Sequence, residues 1–260
     1  MITARSNSQL KYLTKLMKSR SARKEDGVYV CEGRKMFFEI LAQAPELLIK
    51  AYWAQSALGS LTAQERALLD GCVTEEVSDD VFDSVAETVT PQGVIALVKM
   101  RNRTCGQLAE SGRPLLILET LQDPGNLGTI LRTAEAAGIG GVILSADSVD
   151  AYSPKVVRST MGAIFRVPFA YADNLPDTLR TLRNQGYTLY AAHLKGSVPY
   201  DEPDYAGPVG ILIGNEGNGL SDEVTGIADK RVRIPMEGSA ESLNAAVAAA
   251  LLMYEVKRHR

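Results

Sequence analysis

Three short stretches of the chain carry residue types that could do chemistry. The first, LQDPGNLGTILR (121–132), follows an apolar run and contains Asn126 and Arg132. The second, GNEGNGLSDE (214–223), follows the apolar run VGILI and sets one acid, Glu216, among three glycines in six positions. The third, IPMEGSAESLN (234–244), leads into an alanine-rich run and carries Ser242 and Asn244. An apolar run that enters a glycine loop reads as a strand ending at a ligand loop. A single acid offers too few oxygens for a divalent cation, which wants several. A phosphate would want a lysine or bare backbone amides. Each stretch also has a plainer reading. Asn126 can be a helix cap and Arg132 a surface arginine, while Ser242 and Asn244 can be a capping pair.

The elements around these stretches set the fold class. PLLILET (114–120), GGVILSA (140–146), FRVPFAY (165–171), YTLYAAHL (187–194), VGILIG (209–214) and RVRIP (231–235) read as strands. Several are continuous apolar runs, the signature of a parallel sheet covered on both faces. Helical patterns lie between them, and 241–260 reads as a long final helix. The first part of the chain runs to about residue 105 and alternates shorter strands and helices, a small α/β unit. Its opening stretch, 6–27, reads as one helix with Leu10, Leu13 and Leu16/Met17 on one face. Residues 106–113, in the polar, glycine-containing stretch 101–113, read as a linker, and 114–260 as the second domain.

Several chemistries have little to stand on. The phosphate-binding pattern G-x-x-x-x-G-K-[ST] is absent. Gly138-Ile139-Gly140-Gly141 begins like a dinucleotide fingerprint, but Ile143 takes the last glycine position and the segment precedes a strand, so a dehydrogenase is disfavoured. The only histidines are His193 and His259, with no HExxH and no nucleophile elbow. Cys31, Cys72 and Cys105 are far apart and odd in number, which suits reduced thiols better than disulfides or zinc. No metal site is expected. No apolar run approaches the roughly 18 residues of a membrane span, and the first residues lack a signal-peptide pattern, so the expected location is cytoplasmic and not membrane-bound.

The 260 residues are 45% hydrophobic and 23% charged, with a net charge of −3. That balance hides an asymmetry. Residues 1–35 hold nine bases against three acids, a net of +6, while residues 36–90 hold two bases against ten acids. The basic segment is the kind that meets phosphates, or else a solvated helix face. Arg5, Lys11, Arg20, Arg23 and Lys24 are the candidate phosphate contacts, those to RNA if the partner is a nucleic acid.

In this order, DPGNLGTILRTAEAAG (123–138), ILIGNEGNGL (211–220) and RIPMEGSAESLNAAVAAAL (233–251) resemble the SpoU/TrmH class of SPOUT RNA 2′-O-ribose methyltransferases. The resemblance covers essentially all of 114–260. SRSARKEDGVYVCEGRKMFFEIL (19–41) resembles that family's L30e/L7Ae-like substrate-binding domain, with less specific motifs. The resemblance implies an α/β fold whose C-terminal SPOUT domain has a mainly parallel sheet with a deep trefoil knot. It implies S-adenosylmethionine as cofactor, RNA as substrate and a homodimer. Ribosomal RNA (23S) is favoured over transfer RNA, because the family's short transfer-RNA enzymes often lack a separate N-terminal domain. The other reading is a catalytically silent RNA-binding protein that keeps the fold.

By the same resemblance, Leu194, Gly214, Ile234, Met236 and Leu243 match cofactor contacts, with simple core packing as their plainer role. Gly214 is expected to let the backbone approach the ligand closely. Arg132 matches the family's catalytic arginine, and Asn126, Glu216, Ser242 and Asn244 match its remaining polar motif positions. Arginine is normally always charged. Its expected part is therefore to bind the ribose hydroxyl and neighbouring phosphate and to relay the proton, with Asn126 and Glu216 orienting it or the ribose. In the final helix, Leu243, Val247, Leu251 and Tyr254 form an apolar stripe that suits a dimer face or an ordinary core face.

Overall fold

The computed structural model describes residues 1–239 and 241–260; Ala240, within the third motif stretch, lies outside the described residues. The chain forms two compact units. The first is Met1–Arg101 with Asp150–Phe165, and the second is Asn102–Val149 with Arg166–Arg260.

In the first unit, β1 (Val28–Glu32), β2 (Leu48–Ala54), β3 (Thr74–Val77) and β4 (Val94–Lys99) form a mixed sheet in the order β1-β4-β2-β3. Leu10, Leu13, Leu16 and Met17 pack onto it from the N-terminal segment. That segment is two helices, Ser8–Lys18 and Arg20–Asp26, rather than the single expected one. Ser19 breaks the run. Its backbone is extended, and its hydroxyl caps the second helix by accepting from the Ala22 amide. The break turns Arg23 inward, where it is only 4% exposed. Its guanidinium donates to the carbonyls of Leu16 and Met17, which the end of the first helix leaves without partners, and to Asp150 at 3.0 and 2.5 Å. Arg23 is therefore a buried structural cation and not an RNA contact. Arg5, Lys11, Arg20 and Lys24 are exposed.

The pairing with Asp150 also shows where the Asp150–Phe165 segment belongs. Tyr152 stacks on Tyr29 of β1 with ring centroids 4.7 Å apart, and its hydroxyl donates to the Arg101 carbonyl. The sequence places the stretch in the 114–260 domain, because its helical pattern says nothing about which sheet it covers, whereas in the structure it belongs to the first unit.

The second unit holds a seven-stranded sheet: β5 (Leu115–Leu118), β6 (Gly141–Ser145), β7 (Phe169–Ala172), β8 (Thr188–Ala192), β9 (Val198–Pro199), β10 (Val209–Ile213) and β11 (Lys230–Arg233). Every neighbouring pair is parallel, in the order β7-β6-β5-β10-β8-β11-β9. The apolar runs of β5, β6 and β10 are buried throughout, as a doubly covered parallel sheet requires. The stretch read as a linker is not one. Thr104 and Gln107 form a capping box for the Cys105–Ala109 helix, and Leu108 and Ala109 enter the core beside Ile143, Leu175 and Leu179. Two apolar residues in a polar stretch suffice for that anchor and escape a composition-based reading. No helix among the described residues is long and apolar enough to cross a membrane.

Removing Arg23 strands Asp150 and two helix-end carbonyls. Arg23→Ala should cost about 3 kcal/mol, as breaking a buried ion pair does. Lys24→Ala, one residue on and exposed, should stay within about 0.5 kcal/mol. Urea unfolding of the two variants measures the contrast.

Candidate active site

Strand order sets the site. β10, late in sequence, lies beside β5, which opens the unit, so the direction of strand succession reverses between them. Ligand sites of parallel sheets form at the carboxyl ends of strands where such a reversal occurs. The loops that leave β5 and β10 meet there and are tied at four points. The Ser221 hydroxyl and amide donate to Glu119 at 2.6 and 2.8 Å. Asn215 Nδ2 donates to the Thr120 carbonyl at 2.9 Å. The amides of Gln122 and Asp123 donate to the Glu216 carboxylate, both at 3.4 Å. Asn126 Nδ2 donates to Glu216 Oε1 at 3.0 Å.

Asn126 is not the helix cap. Asp123 caps the Pro124–Ala137 helix, its carboxylate accepting from the Asn126 amide at 2.7 Å, with Pro124 in the first turn. The Asp123-Pro124 pair is the sequence signal for this cap. Freed from capping, the Asn126 side chain bridges two loops. It donates to Glu216 and accepts from Asn244 Nδ2 at 3.0 Å. Asn244 does cap: its Oδ1 accepts from the Ala246 and Val247 amides of the Ala245–Arg258 helix. Its two ends therefore do separate jobs. The chain Asn244–Asn126–Glu216 joins all three motif stretches.

The glycine loop of the second stretch has its own order. Asn215 and Gly219 exchange backbone bonds, and Asn215 Oδ1 accepts from the amides of Gly217 and Asn218. The close approach that demands glycine at 214 is to this loop itself. A Cβ there would fall inside the backbone of Gly219 and Leu220.

An open cavity of about 540 Å³ lies against this loop. Leu194, Gly214, Ile234, Met236 and Leu243 all line it, and so do Glu216 and Ser242. Leu194 is 61% exposed, so it stands at the rim and not in the core. The lining mixes apolar side chains with the loop backbone, in a volume of the size that holds a nucleoside-like ligand. Lys195 and Arg231 add cations to the wall, which no motif had pointed to. Asn126, Asn244 and Arg132 are not on the wall. The first two connect to it through Glu216. Arg132 is exposed on its helix, and its side chain makes no hydrogen bond or ion pair among the described residues. Within one chain, then, Asn126 and Glu216 orient each other and not Arg132. Among the described residues no group of three or more His, Cys, Asp or Glu could hold a metal.

Desolvation alone would raise the Glu216 carboxyl. The bonds from Asn126 and from the backbone outweigh it and hold the group below its ordinary value. Glu216 is thus a carboxylate at neutral pH. Its bonds contribute stability above the unfolded carboxyl range, and this is lost as pH falls through the lowered folded value.

Residues 113–254 match the SpoU rRNA Methylase family, and residues 7–96 match the MRM3-like substrate binding domain. The chain belongs to the SpoU rRNA methylase family and is an RNA methyltransferase. It is 35% identical over its whole length to an uncharacterized tRNA/rRNA methyltransferase of Synechocystis, covering 94% of that protein. It is 38% identical to the 23S rRNA (guanosine(2553)-2′-O)-methyltransferase of Bacillus subtilis, over 70% of this chain and 71% of that one. The AdoMet-bound rRNA methyltransferase from Sinorhizobium meliloti superposes with a TM-score of 0.87 at 33% identity, covering 99% of this chain and 97% of that one. The mainly parallel α/β fold is that of the SPOUT methyltransferases.

Asn126→Ala removes the side-chain bond that lowers Glu216 most, so the Glu216 pKa should rise toward the ordinary carboxylate value. A carbon-13 titration of the Glu216 carboxyl reads this directly. An unchanged midpoint would show that the backbone amides alone set it.

Proposed function

We propose that this enzyme transfers the methyl group of S-adenosylmethionine to a ribose 2′-hydroxyl of ribosomal RNA, 23S in preference to transfer RNA, working as a homodimer in the cytoplasm. The observation that carries the reading is the cavity. All five residues expected at the cofactor line one pocket, and Glu216 and Ser242 share its wall. The activity in the name of the Bacillus relative supports the ribose of 23S RNA as target.

The pocket suits the cofactor's chemistry. Ile234, Met236 and Leu243 offer apolar surface to an adenine and a methionine chain, and the 214–220 loop offers backbone groups. When bound, S-adenosylmethionine supplies an electrophilic methyl on a sulfonium. The chain's own residues then have to present a hydroxyl oxygen in line and take its proton. Glu216, held ionised and fixed by Asn126 and two amides, orients the ribose. Arg132 binds the neighbouring phosphate and the hydroxyl, and its fixed positive charge favours the developing alkoxide. As the methyl carbon would bond to the ribose oxygen, its bond to sulfur would break to leave a neutral thioether, and the hydroxyl proton would leave through that phosphate.

Arg132 meets this site from a second copy. Two facts support that assignment. The Arg132 side chain has no partner among the described residues of its own chain. The final helix leaves Val247, Leu251 and Tyr254 at 48%, 37% and 48% exposure, one stripe at helical spacing. Its opposite face, with Ala249, Leu252, Met253 and Val256, is buried. The plainer core reading of this helix therefore accounts for one face and a partner for the other. Arg5, Lys11, Arg20 and Lys24 supply phosphate contacts that position RNA without reading sequence.

Calorimetry with S-adenosylmethionine, followed by a tritiated-methyl assay on 23S and transfer RNA, tests the reading. Absence of cofactor binding would sink it, and binding without transfer would leave an RNA-binding protein. Arg132→Ala should abolish transfer while keeping cofactor affinity within about twofold, since the arginine acts on the RNA. Mixing Arg132→Ala with Glu216→Ala subunits, each inactive alone, should restore about one quarter of wild-type activity, because half the dimers regain one intact site. No recovery on mixing would return Arg132 to its own chain's site. Leu251→Glu should halve the mass seen by light scattering and remove transfer with it.

A further inference from the structure

Thr120 is the first residue past β5 and Glu119, and its backbone is unusual. Its φ of +53° is left-handed, a conformation that a β-branched residue rarely adopts. Every polar atom of Thr120 is engaged. Its amide donates to Ser145 Oγ at 2.7 Å, and its hydroxyl donates to Asp147 Oδ2 at 2.8 Å. Its carbonyl accepts from Asn215 Nδ2 at 2.9 Å and from Gln122 Nε2 at 3.2 Å. Ser145 Oγ donates in turn to Asp147 Oδ1 at 2.6 Å, closing a ring of three side chains. The Ser145 hydroxyl, and to a smaller degree Thr120, holds the Asp147 carboxyl below its ordinary value, so the acceptor is charged at neutral pH. Gln122 is fastened as well, through Nε2 to the Asp147 carbonyl at 3.2 Å.

Thr120, Gln122, Ser145 and Asp147 are not on the cavity wall, yet the ring fixes the turn that feeds it. The amides that follow Thr120, those of Gln122 and Asp123, point at the Glu216 carboxylate. The Asn215 side chain, held by the Thr120 carbonyl, orders the loop that carries Glu216. Strain held in place by surrounding bonds is a mark of an element kept for geometry.

We propose that Thr120, Ser145 and Asp147 form a positioning clasp that holds the β5 turn left-handed and so aligns Glu216 and Asn126 on the RNA ribose. The proposal rests on the methyl-transfer reading for its activity arm. Asp147 and Thr120 are positioning residues, acting through Glu216.

The test uses the full chain and three variants. Thr120→Val keeps shape and loses the hydroxyl, Thr120→Ser keeps the hydroxyl, and Thr120→Gly accepts the left-handed turn without it. Thr120→Val should lower kcat for methyl transfer about tenfold, the order expected for slight misalignment of reacting groups. Cofactor Kd by calorimetry and KM for RNA should stay within about twofold, and Thr120→Ser should recover at least half of kcat. The side-chain amide resonance of Asn126 should move in Thr120→Val and return in Thr120→Ser. That signal reads the clasp even if the wild-type protein transfers no methyl, a result that would sink the functional reading alone. Where Thr120→Val fails to fold, Thr120→Gly takes its place with the same expectations. Wild-type kcat and an unmoved Asn126 signal in a folded variant lacking the hydroxyl would overturn the clasp. So would equal losses in kcat and cofactor affinity, which mark a purely structural role.

Discussion

The parallel pairing of β10 with β5 is the contact on which the second unit's site depends. Four residue pairs, from Gly210 with Leu115 to Ile213 with Leu118, bring together strands almost a hundred residues apart in sequence. The fit at the seam is close: a Cβ at Gly210 would press on Leu189 and Ile117. Once the seam forms, the two loops that leave it have no choice but to meet. Glu119 finds Ser221, Thr120 finds Asn215, and the turn at 122–126 finds Glu216. Without that adjacency, each of these side chains would be an ordinary loop residue in water, where single exposed hydrogen bonds are worth little.

The network solves a problem of charge. Glu216 is an acid beside a cavity, partly desolvated, with no cation on it among the described residues. Neutral donors, one carboxamide and the backbone at Glu216, Asp123 and Gln122, keep it ionised. That leaves its charge uncancelled toward whatever the cavity holds. A lysine in the same place would have fixed the carboxylate equally well but spent the charge. The economy extends to Asn244, whose oxygen caps a helix while its nitrogen holds Asn126.

The first unit follows a different logic. Its cations are divided by one helix break. Arg23, turned inward at Ser19, stitches a helix end to the Asp150–Phe165 segment, while Lys11, Arg20 and Lys24 stay in solvent. The same basic run therefore serves folding and, on the proposed reading, RNA. The charge count could not separate the two uses, because it assigns every lysine and arginine the same surface.

Much was legible in the order of residues alone. The three motif stretches, the buried runs of β5, β6 and β10 and the parallel α/β class follow from local composition and spacing, since an apolar run needs cover on both faces wherever it lies; the family followed from the resemblance of the three motifs. Seven of the residues that line the cavity, Glu216 and Ser242 among them, could be named by the resemblance, whereas Lys195 and Arg231 could not. What only the tertiary structure decided is direction and partnership. Asn126 looks like a cap until Asp123 takes that place, Arg23 looks exposed until Ser19 turns it, and 106–113 looks like a linker until Leu108 is buried. Glu216 has no visible partner in sequence, because its donors come from a loop some ninety residues away. Local periodicity carries the burial of a face, but which loop faces which is set by non-local strand order, and a side chain's partner depends on that order and not on its neighbours in the chain.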